Sequence, residues 1–209
     1  MKRLSVAASF IEKCGTFADI GCDHGYVSLY ALENSLADKV WACDISAPSL
    51  NKARKLLKDF PAAEFFVSDG FGALPHKPDT AVISGMGGHK IIKIISGERC
   101  ADTLILQPQN HAYELRKTLY SLGFIADKDV CVSDRGRYYD IIRAKRLQEG
   151  ETKEIPIEEK LYWGAFCDEK NSALKERLEC EEKKLAGYKQ TENNAEKLRI
   201  VREVLKWQR

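Results

Sequence analysis

The sequence predicts an α/β protein with a doubly wound, mostly parallel sheet that ends in an antiparallel hairpin and is followed by a C-terminal helical hairpin. Short apolar runs alternate with helical segments through the first two thirds of the 209-residue chain, as expected for parallel strands covered on both faces. Two strand-like runs then follow each other without a helix between them. Beyond residue 156, apolar residues recur at heptad-like spacing, which indicates packed helices.

The elements of the first part follow in chain order. Residues 4–11 predict an amphipathic helix. Strands are predicted at residues 16–18, 39–44, 64–70, 79–84 and 102–107, and helices at 27–32, 89–95 and 112–121. The hairpin is expected from 124–132 and 138–145, around a turn at 134–137.

The second part begins after a polar linker at residues 146–156, which divides the chain into predicted domains 1–150 and 151–209. Two apolar stripes separated by a break around Gly187 and residues 191–194 predict the helical hairpin: Leu174, Leu178, Leu185 and Tyr188, then Leu198, Val201 and Leu205. Residues 151–209 carry thirteen Lys/Arg and thirteen Asp/Glu, so charge alone does not identify this part as RNA-binding. Helices that shield the sheet and helices that form a recognition arm both remain open.

The most informative segment is Asp19-Ile20-Gly21-Cys22-Asp23-His24-Gly25-Tyr26, a glycine-containing turn between a strand and a helix. Such a corner is a nucleotide-binding feature, because glycines let the backbone approach a ligand closely. Its spacing is Asp-x-Gly-x-Asp-x-Gly, not Gly-x-Gly-x-x-Gly, and two carboxylates would repel a pyrophosphate. They suit a ligand with an ammonium group and ribose hydroxyls, and S-adenosylmethionine (SAM) is the candidate.

Acids also follow the next two strands. Asp44 lies about 20 residues beyond the turn, where an acid typically hydrogen-bonds ribose hydroxyls. Asp69 precedes Gly70 at the end of the third strand, although Asp69 could equally cap a helix.

The amino-acid composition limits the class of protein further. Hydrophobic residues make up 44% of the chain and the net charge is only +2, which neither requires nor excludes nucleic acid. The seven cysteines lack Cys-x-x-Cys spacing, which argues against a disulfide framework or a zinc ribbon and favours a reduced, cytoplasmic protein without a metal. Nothing in the sequence predicts membrane association.

Several motifs together resemble the bacterial TrmK family: Arg3-Leu4, the turn at residues 19–26, Asp69-Gly70, Ser84-Gly85-Met86-Gly87-Gly88, Leu106-Gln107-Pro108 and residues 137–142. Members are tRNA (adenine-N1)-methyltransferases that act on adenine 22. The resemblance covers the whole chain and implies a class I, Rossmann-like methyltransferase fold, SAM as donor, tRNA as partner and a coiled-coil-like C-terminal domain. This turn differs in having Cys22 and Gly25 where Thr or Ser and Ala are expected.

The resemblance also implies roles for individual residues. Gly21, Asp23 and Gly25 would line the donor site, Asp44 would bind the ribose, and Asp69 and Gly70 would lie near the adenine of SAM. The complete cofactor set adds two residues and reads Asp19, Gly21, Asp23, Gly25, Asp44, Asp69, Gly70 and Gly85.

Three residues are the catalytic candidates. Adenine N1 has a lone pair and no proton to lose, so no strong general base is required. Asp23 could stabilise the cationic product or serve the ammonium group of SAM, His24 could contact the base edge, and Gly87 could let the backbone approach a planar base. Phosphate contacts are expected from the basic residues in and after the hairpin: Arg135, Arg137, Arg143, Lys145 and Arg146.

Other functions remain open. They are methylation of another RNA, a protein or a small molecule, a non-catalytic SAM- or RNA-binding module, and dinucleotide oxidoreduction. The absent Gly-x-Gly-x-x-Gly and the terminal hairpin argue against the last. The sequence does not define the oligomeric state; a monomer is one option.

Overall fold

The computed structural model describes residues 2–148, 150–151, 156–189 and 191–209. Seven strands form one sheet: β1 Cys14–Ile20, β2 Ala37–Asp44, β3 Ala63–Val67, β4 Thr80–Met86, β5 Thr103–Pro108, β6 Phe124–Asp134 and β7 Arg137–Arg146. The order across the sheet is β3-β2-β1-β4-β5-β7-β6. Strands β1 to β5 pair in parallel, whereas β7 is antiparallel to both β5 and β6.

Helices cover both faces of the sheet. They are α1 Lys2–Ser9, α2 Tyr26–Glu33, α3 Ala47–Leu56, α4 Gly88–Ile95, α5 Ala112–Ser121, α6 Glu158–Trp163, α7 Ser172–Gly187 and α8 Glu192–Trp207. Ala18 and Ile20 of β1 belong to the core beneath α4 and α5, whereas Phe17 belongs to the core beneath α1 and α2. This alternation buries β1 on both faces, as the apolar runs predict.

The structure confirms the α/β class, the terminal hairpin and the C-terminal helices, but several elements differ from the expectation. Strand β4 continues through Gly85 to Met86, because Gly85 adopts a φ of +76° and shifts the register against β5. Helices α3 and α6 were not predicted, and β3 ends at Val67 instead of continuing to Gly70. Tyr188 lies beyond α7 and is exposed, so the apolar stripe ends at Leu185. Helix α8 begins inside the expected break, with the Thr191 side chain accepting a hydrogen bond from the Asn194 N–H.

The C-terminal helices pack against the hairpin through a buried ionic cluster. Arg116 of α5 binds Asp129 of β6 at 2.7 Å and Asp140 of β7 at 3.0 Å, and it also donates to the Leu161 carbonyl of α6. Arg177 of α7 reaches Asp140 at 3.0 Å. Burial alone would raise the pKa of Asp140, but the two guanidinium groups hold it below the usual carboxyl value. Arg116 and Arg177 lie on opposite sides of the proposed boundary at residue 150, and both neutralise the same buried carboxylate, Asp140.

The predicted linker at 146–156 lies partly outside the described residues, which lack 149 and 152–155. Among the helices of the described ranges, none has the length and apolar character needed to cross a bilayer.

Candidate active site

A cavity of about 410 Å³ opens at the carboxyl ends of β1, β2 and β4. Its volume falls in the range of small-molecule sites, and this edge is where open α/β sheets bind ligands. Eight of the residues singled out in the sequence line it: Asp19, Gly21, Asp23, His24, Asp44, Asp69, Gly70 and Gly85. The structure thus brings together acids from three strand ends that are far apart in the chain.

Gly25 and Gly87 do not line this cavity. Gly25 precedes α2 with a φ of +77°, and a Cβ built on it would lie 3.0 Å from the Cβ of Ala53 in α3. Gly87 precedes α4, and its Cβ would lie 3.2 Å from Oδ1 of Asn110. Gly25 thus allows close helix packing and Gly87 faces the loop after β5, so direct contact with a ligand remains a prediction for both.

The turn after β1 lies tightly against β2. The N–H groups of Gly21 and Cys22 both donate to the Cys43 carbonyl, at 2.8 and 2.9 Å. Gly21 has a φ of +73°, and a Cβ there would collide with the Cε of Met86. The absence of a side chain at Gly21 therefore leaves space that the Met86 side chain fills, and the positive φ favours glycine there.

Asp19 is the deepest acid of the cavity. Its Oδ2 accepts hydrogen bonds from the N–H and the hydroxyl of Ser28, at 3.1 and 2.8 Å. Burial raises the pKa of Asp19 to about 6; the Ser28 hydrogen bonds oppose this rise, and the nearby Asp44 charge adds to it. Asp19 is thus a carboxylate that a neighbouring cation would stabilise.

Asp44 is held in place by backbone donors. Its Oδ2 accepts the Asp23 N–H at 3.1 Å, and its Oδ1 accepts the Ser46 N–H at 2.7 Å. Each carboxylate oxygen has a second lone pair, so Asp44 can still accept hydrogen bonds from a diol. The same bonds fix the position of the turn that carries Asp23.

Asp23 and His24 lie at the rim of the cavity. Asp23 is a non-glycine residue with a φ of +46°, and its carboxylate is 61% exposed, 3.9 Å from the Lys52 ammonium group and 3.6 Å from His24. The His24 ring stacks on Tyr26 with centroids 5.7 Å apart, and Tyr26 also lines the cavity. Together these groups form a polar rim with an exposed aromatic surface.

Two side chains that sequence analysis did not assign to the site shape the end of β4. Gln107 is fully buried, and its Oε1 accepts the Gly85 N–H and the Arg3 Nε–H, each at 3.2 Å. The Arg3 guanidinium lies 4.9 Å from the centroid of the Tyr139 ring. Arg3 and Gln107 stood in the family motifs, which were the available signal, but their contact joins residues distant in the chain.

The cysteines near the site are buried and free. Burial raises the pKa of both Cys22 and Cys43, and the charges of Asp19 and Asp44 add to the rise. These thiols therefore stay neutral and serve as small apolar side chains.

One group in the described part of the chain has the composition of a metal site, although the sequence predicts no metal. His89, His111 and Glu114 each offer a ligand atom, and these atoms all lie within 4.8 Å of one another. All three are exposed, and the two imidazole rings stack with centroids 4.0 Å apart. The absence of a metal stays a prediction.

Comparison with known proteins agrees with this geometry. Residues 1–142 match the family described as "Methyltransferase domain". A Bacillus subtilis protein named tRNA (adenine(22)-N(1))-methyltransferase is 32% identical over 152 residues, which span 69% of this chain and 64% of the relative. The crystal structure of the B. subtilis M1A22 tRNA methyltransferase TrmK is similar with a TM-score of 0.81 at 25% identity, covering 98% of this chain and 97% of that one.

A second structure extends the likeness of the fold. M. capricolum TrmK, in complex with S-adenosyl-homocysteine, has a TM-score of 0.87 at 22% identity, covering 100% of this chain and 99% of that one. Both structural matches therefore include the C-terminal helices. The chain thus belongs to the methyltransferase-domain family and, within it, to the TrmK family.

Proposed function

We propose that this protein transfers a methyl group from SAM to N1 of adenine 22 in tRNA. The observation that carries the proposal is the acid-lined cavity at the carboxyl edge of the sheet, in a chain that belongs to the TrmK family. The Bacillus subtilis relative is named for this reaction.

The residues of the cavity fit SAM. Asp19 offers a buried carboxylate to the ammonium group, and Asp44 offers lone pairs to the ribose hydroxyls. Asp69 and Gly70 border the space proposed for the adenine of SAM, and Gly21 lines the same cavity. When bound, SAM supplies a methyl carbon attached to a positively charged sulfur.

The chain's own contribution to the reaction is positioning. Adenine N1 attacks through its in-plane lone pair, so the site must align the base and does not need to remove a proton. We assign the wall at Ser84, Gly85 and Met86 to the face of the base, because Gly85 carries no side chain there. An extruded base needs an aromatic surface, which the exposed Tyr26 ring supplies. Asp23, at the rim, would stabilise the positive charge of the methylated base.

The partner and the cellular location belong to the same proposal. We infer that the protein acts on tRNA in the cytoplasm, which the seven free cysteines support. Residues 151–209 would act as a helical domain that stabilises the hairpin, because Arg116 and Arg177 share Asp140 across the two parts.

Incubation of the protein with unmodified tRNA and methyl-labelled SAM, followed by nucleoside analysis, tests the proposal. We expect 1-methyladenosine as the labelled product. An unlabelled tRNA pool, or a label on a different nucleoside, would exclude the assignment. SAM binding is measured separately by calorimetry. A protein that binds SAM but leaves the tRNA unlabelled would be a non-catalytic binding module.

A further inference from the structure

The basic residues of the hairpin fall into two groups with different surroundings. At the base of the hairpin, Arg143 binds Glu12 at 2.6 Å and Asp127 at 2.7 Å, and Lys145 contacts the same two carboxylates. Arg146 pairs with Asp102. These charges are already neutralised within the protein, so they are poor phosphate ligands.

Five of the eight basic residues of α7 and α8 form ion pairs as well, whereas no ion pair in the described part of the chain includes Lys175, Lys183 or Lys197. Arg199 of α8 contacts Glu196 and Glu159, and Arg202 contacts Glu182 of α7 at 2.8 Å. Lys184 and Lys206 each pair with a glutamate three residues earlier. The helices therefore offer RNA little uncompensated positive charge from these side chains.

The tip of the hairpin is different. Arg135 and Arg137 are exposed, and no ion pair within the described ranges includes either of them. Arg135 and Gly136 form the two-residue connection between β6 and β7, with φ values of +53° and +73°. Two positive φ values define a type I′ turn, whose first central position favours Asn, Asp or Gly. An arginine at this position therefore has no explanation in the chemistry of the turn, and such outliers concentrate at functional sites.

The tip also lies at the same edge of the sheet as the cavity. Strand β7 is antiparallel to β5 with Leu106 opposite Ile142, so Arg137 projects about 10 Å beyond the carboxyl end of β5 at 3.4 Å per residue. Arg3, which lines the cavity, contacts Asp134 at the end of β6 through its N–H at 3.4 Å. Asp134 is the carboxylate next to the tip in the sequence, but it is buried and contacts Arg3. The two tip arginines face solvent.

We propose that Arg135 and Arg137 bind phosphate groups of the substrate RNA next to the extruded base, and that this hairpin tip contributes more to RNA binding than the paired basic residues of α7 and α8. The proposal rests on the proposed function for the identity of the RNA. The tip lies at the same edge of the sheet as the cavity, two strands away from β4, so RNA that reaches the cavity along this edge would pass both arginines. Unstacking the base is unfavourable, and phosphate contacts of this kind offset that free energy.

The test compares two double variants that each remove two positive charges. Arg135→Asn with Arg137→Gln changes the tip, and Asn is well suited to the left-handed position, so this variant should fold at least as well as the wild type. Arg199→Gln with Arg202→Gln is the matched control on α8. Binding of fluorescently labelled, unmodified tRNA is measured by anisotropy over a range of salt concentrations, with SAM affinity as the control for folding.

We expect the tip variant to bind tRNA at least tenfold more weakly, and the magnitude of its salt dependence, the slope of log K against log salt, to fall by about 1.4 to 1.8, as for two lost phosphate contacts. Arg135→Lys with Arg137→Lys should keep the wild-type slope. The proposal is overturned if the tip variant keeps the wild-type affinity and slope, or if the α8 variant loses as much. A wild-type protein that binds tRNA through the tip but leaves it unmethylated would support the binding site and refute the proposed function.

Discussion

Replacing Asp19 with Asn should remove a pH dependence from the stability of the protein. In the ligand-free fold the pKa of Asp19 is about 6, whereas an unfolded aspartate titrates near 3.8. Asn keeps one side-chain oxygen that can accept the hydrogen bonds from Ser28. The substitution therefore changes the ionisation of the buried site with little change in shape.

The size of the effect follows from the pKa difference. Between about pH 4 and pH 6 the folded state binds more protons at Asp19 than the unfolded state does, so the free energy of unfolding falls as the pH rises. A difference of about two pKa units corresponds to about 3 kcal/mol, fully lost above pH 6. Relative to the wild type, Asp19→Asn should thus gain about 3 kcal/mol across this window.

Urea unfolding of both proteins at a series of pH values measures this difference, because the other titrating groups are common to both. Binding of SAM gives a second measurement, because a cationic ligand selects the ionised carboxylate. As the pH is raised toward 6, the affinity of the wild type for SAM should increase by up to about tenfold per pH unit. Parallel stability curves for the two proteins would refute the assignment of a raised pKa to Asp19.

Three further substitutions test the site and its support. Asp44→Ala should weaken SAM binding at least tenfold in calorimetry, since a charge-assisted hydrogen bond contributes about 1.5–3 kcal/mol; unchanged affinity in a folded variant would remove Asp44 from the site. Gly21→Ala should weaken SAM binding, because the φ of +73° disfavours alanine and the Cε of Met86, which lines the same cavity, must move to make room; unchanged affinity would contradict a role of this glycine in shaping the site. Arg116→Met leaves Asp129 buried without its partner and should cost about 3–5 kcal/mol in thermal unfolding; a loss below 1 kcal/mol would show that the cluster is dispensable.

Local sequence was sufficient to predict most of the acids and glycines that line the cavity. The turn at residues 19–25 combines a strand, two glycines and two acids within seven positions, and Asp44 follows at the expected distance. Parallel strands bring such ends together at one edge, so the fold class and these side chains are predicted by the same pattern. Local sequence did not distinguish the role of Gly25, because a glycine required for packing against Ala53 has the same local pattern as a glycine that faces a ligand.

Long-range contacts explain what the sequence could not show. The pairing of Arg143 and Lys145 with Glu12 joins residues more than 130 positions apart, so both were expected among the phosphate contacts. The contact between Arg3 and Gln107 likewise forms only when α1 packs beside β5. Helix α6 was missed because six residues are too short for a helical period to stand out.

Methylation of two transcripts that differ at one nucleotide tests the central claim most directly. One tRNA transcript carries adenine at position 22 and the other carries guanine there, and both are incubated with the protein and labelled SAM. The account predicts about one methyl group per molecule on the first transcript, located at N1 of adenine 22, and none on the second. Equal methylation of both transcripts, or none of either by a protein that binds SAM, would contradict it.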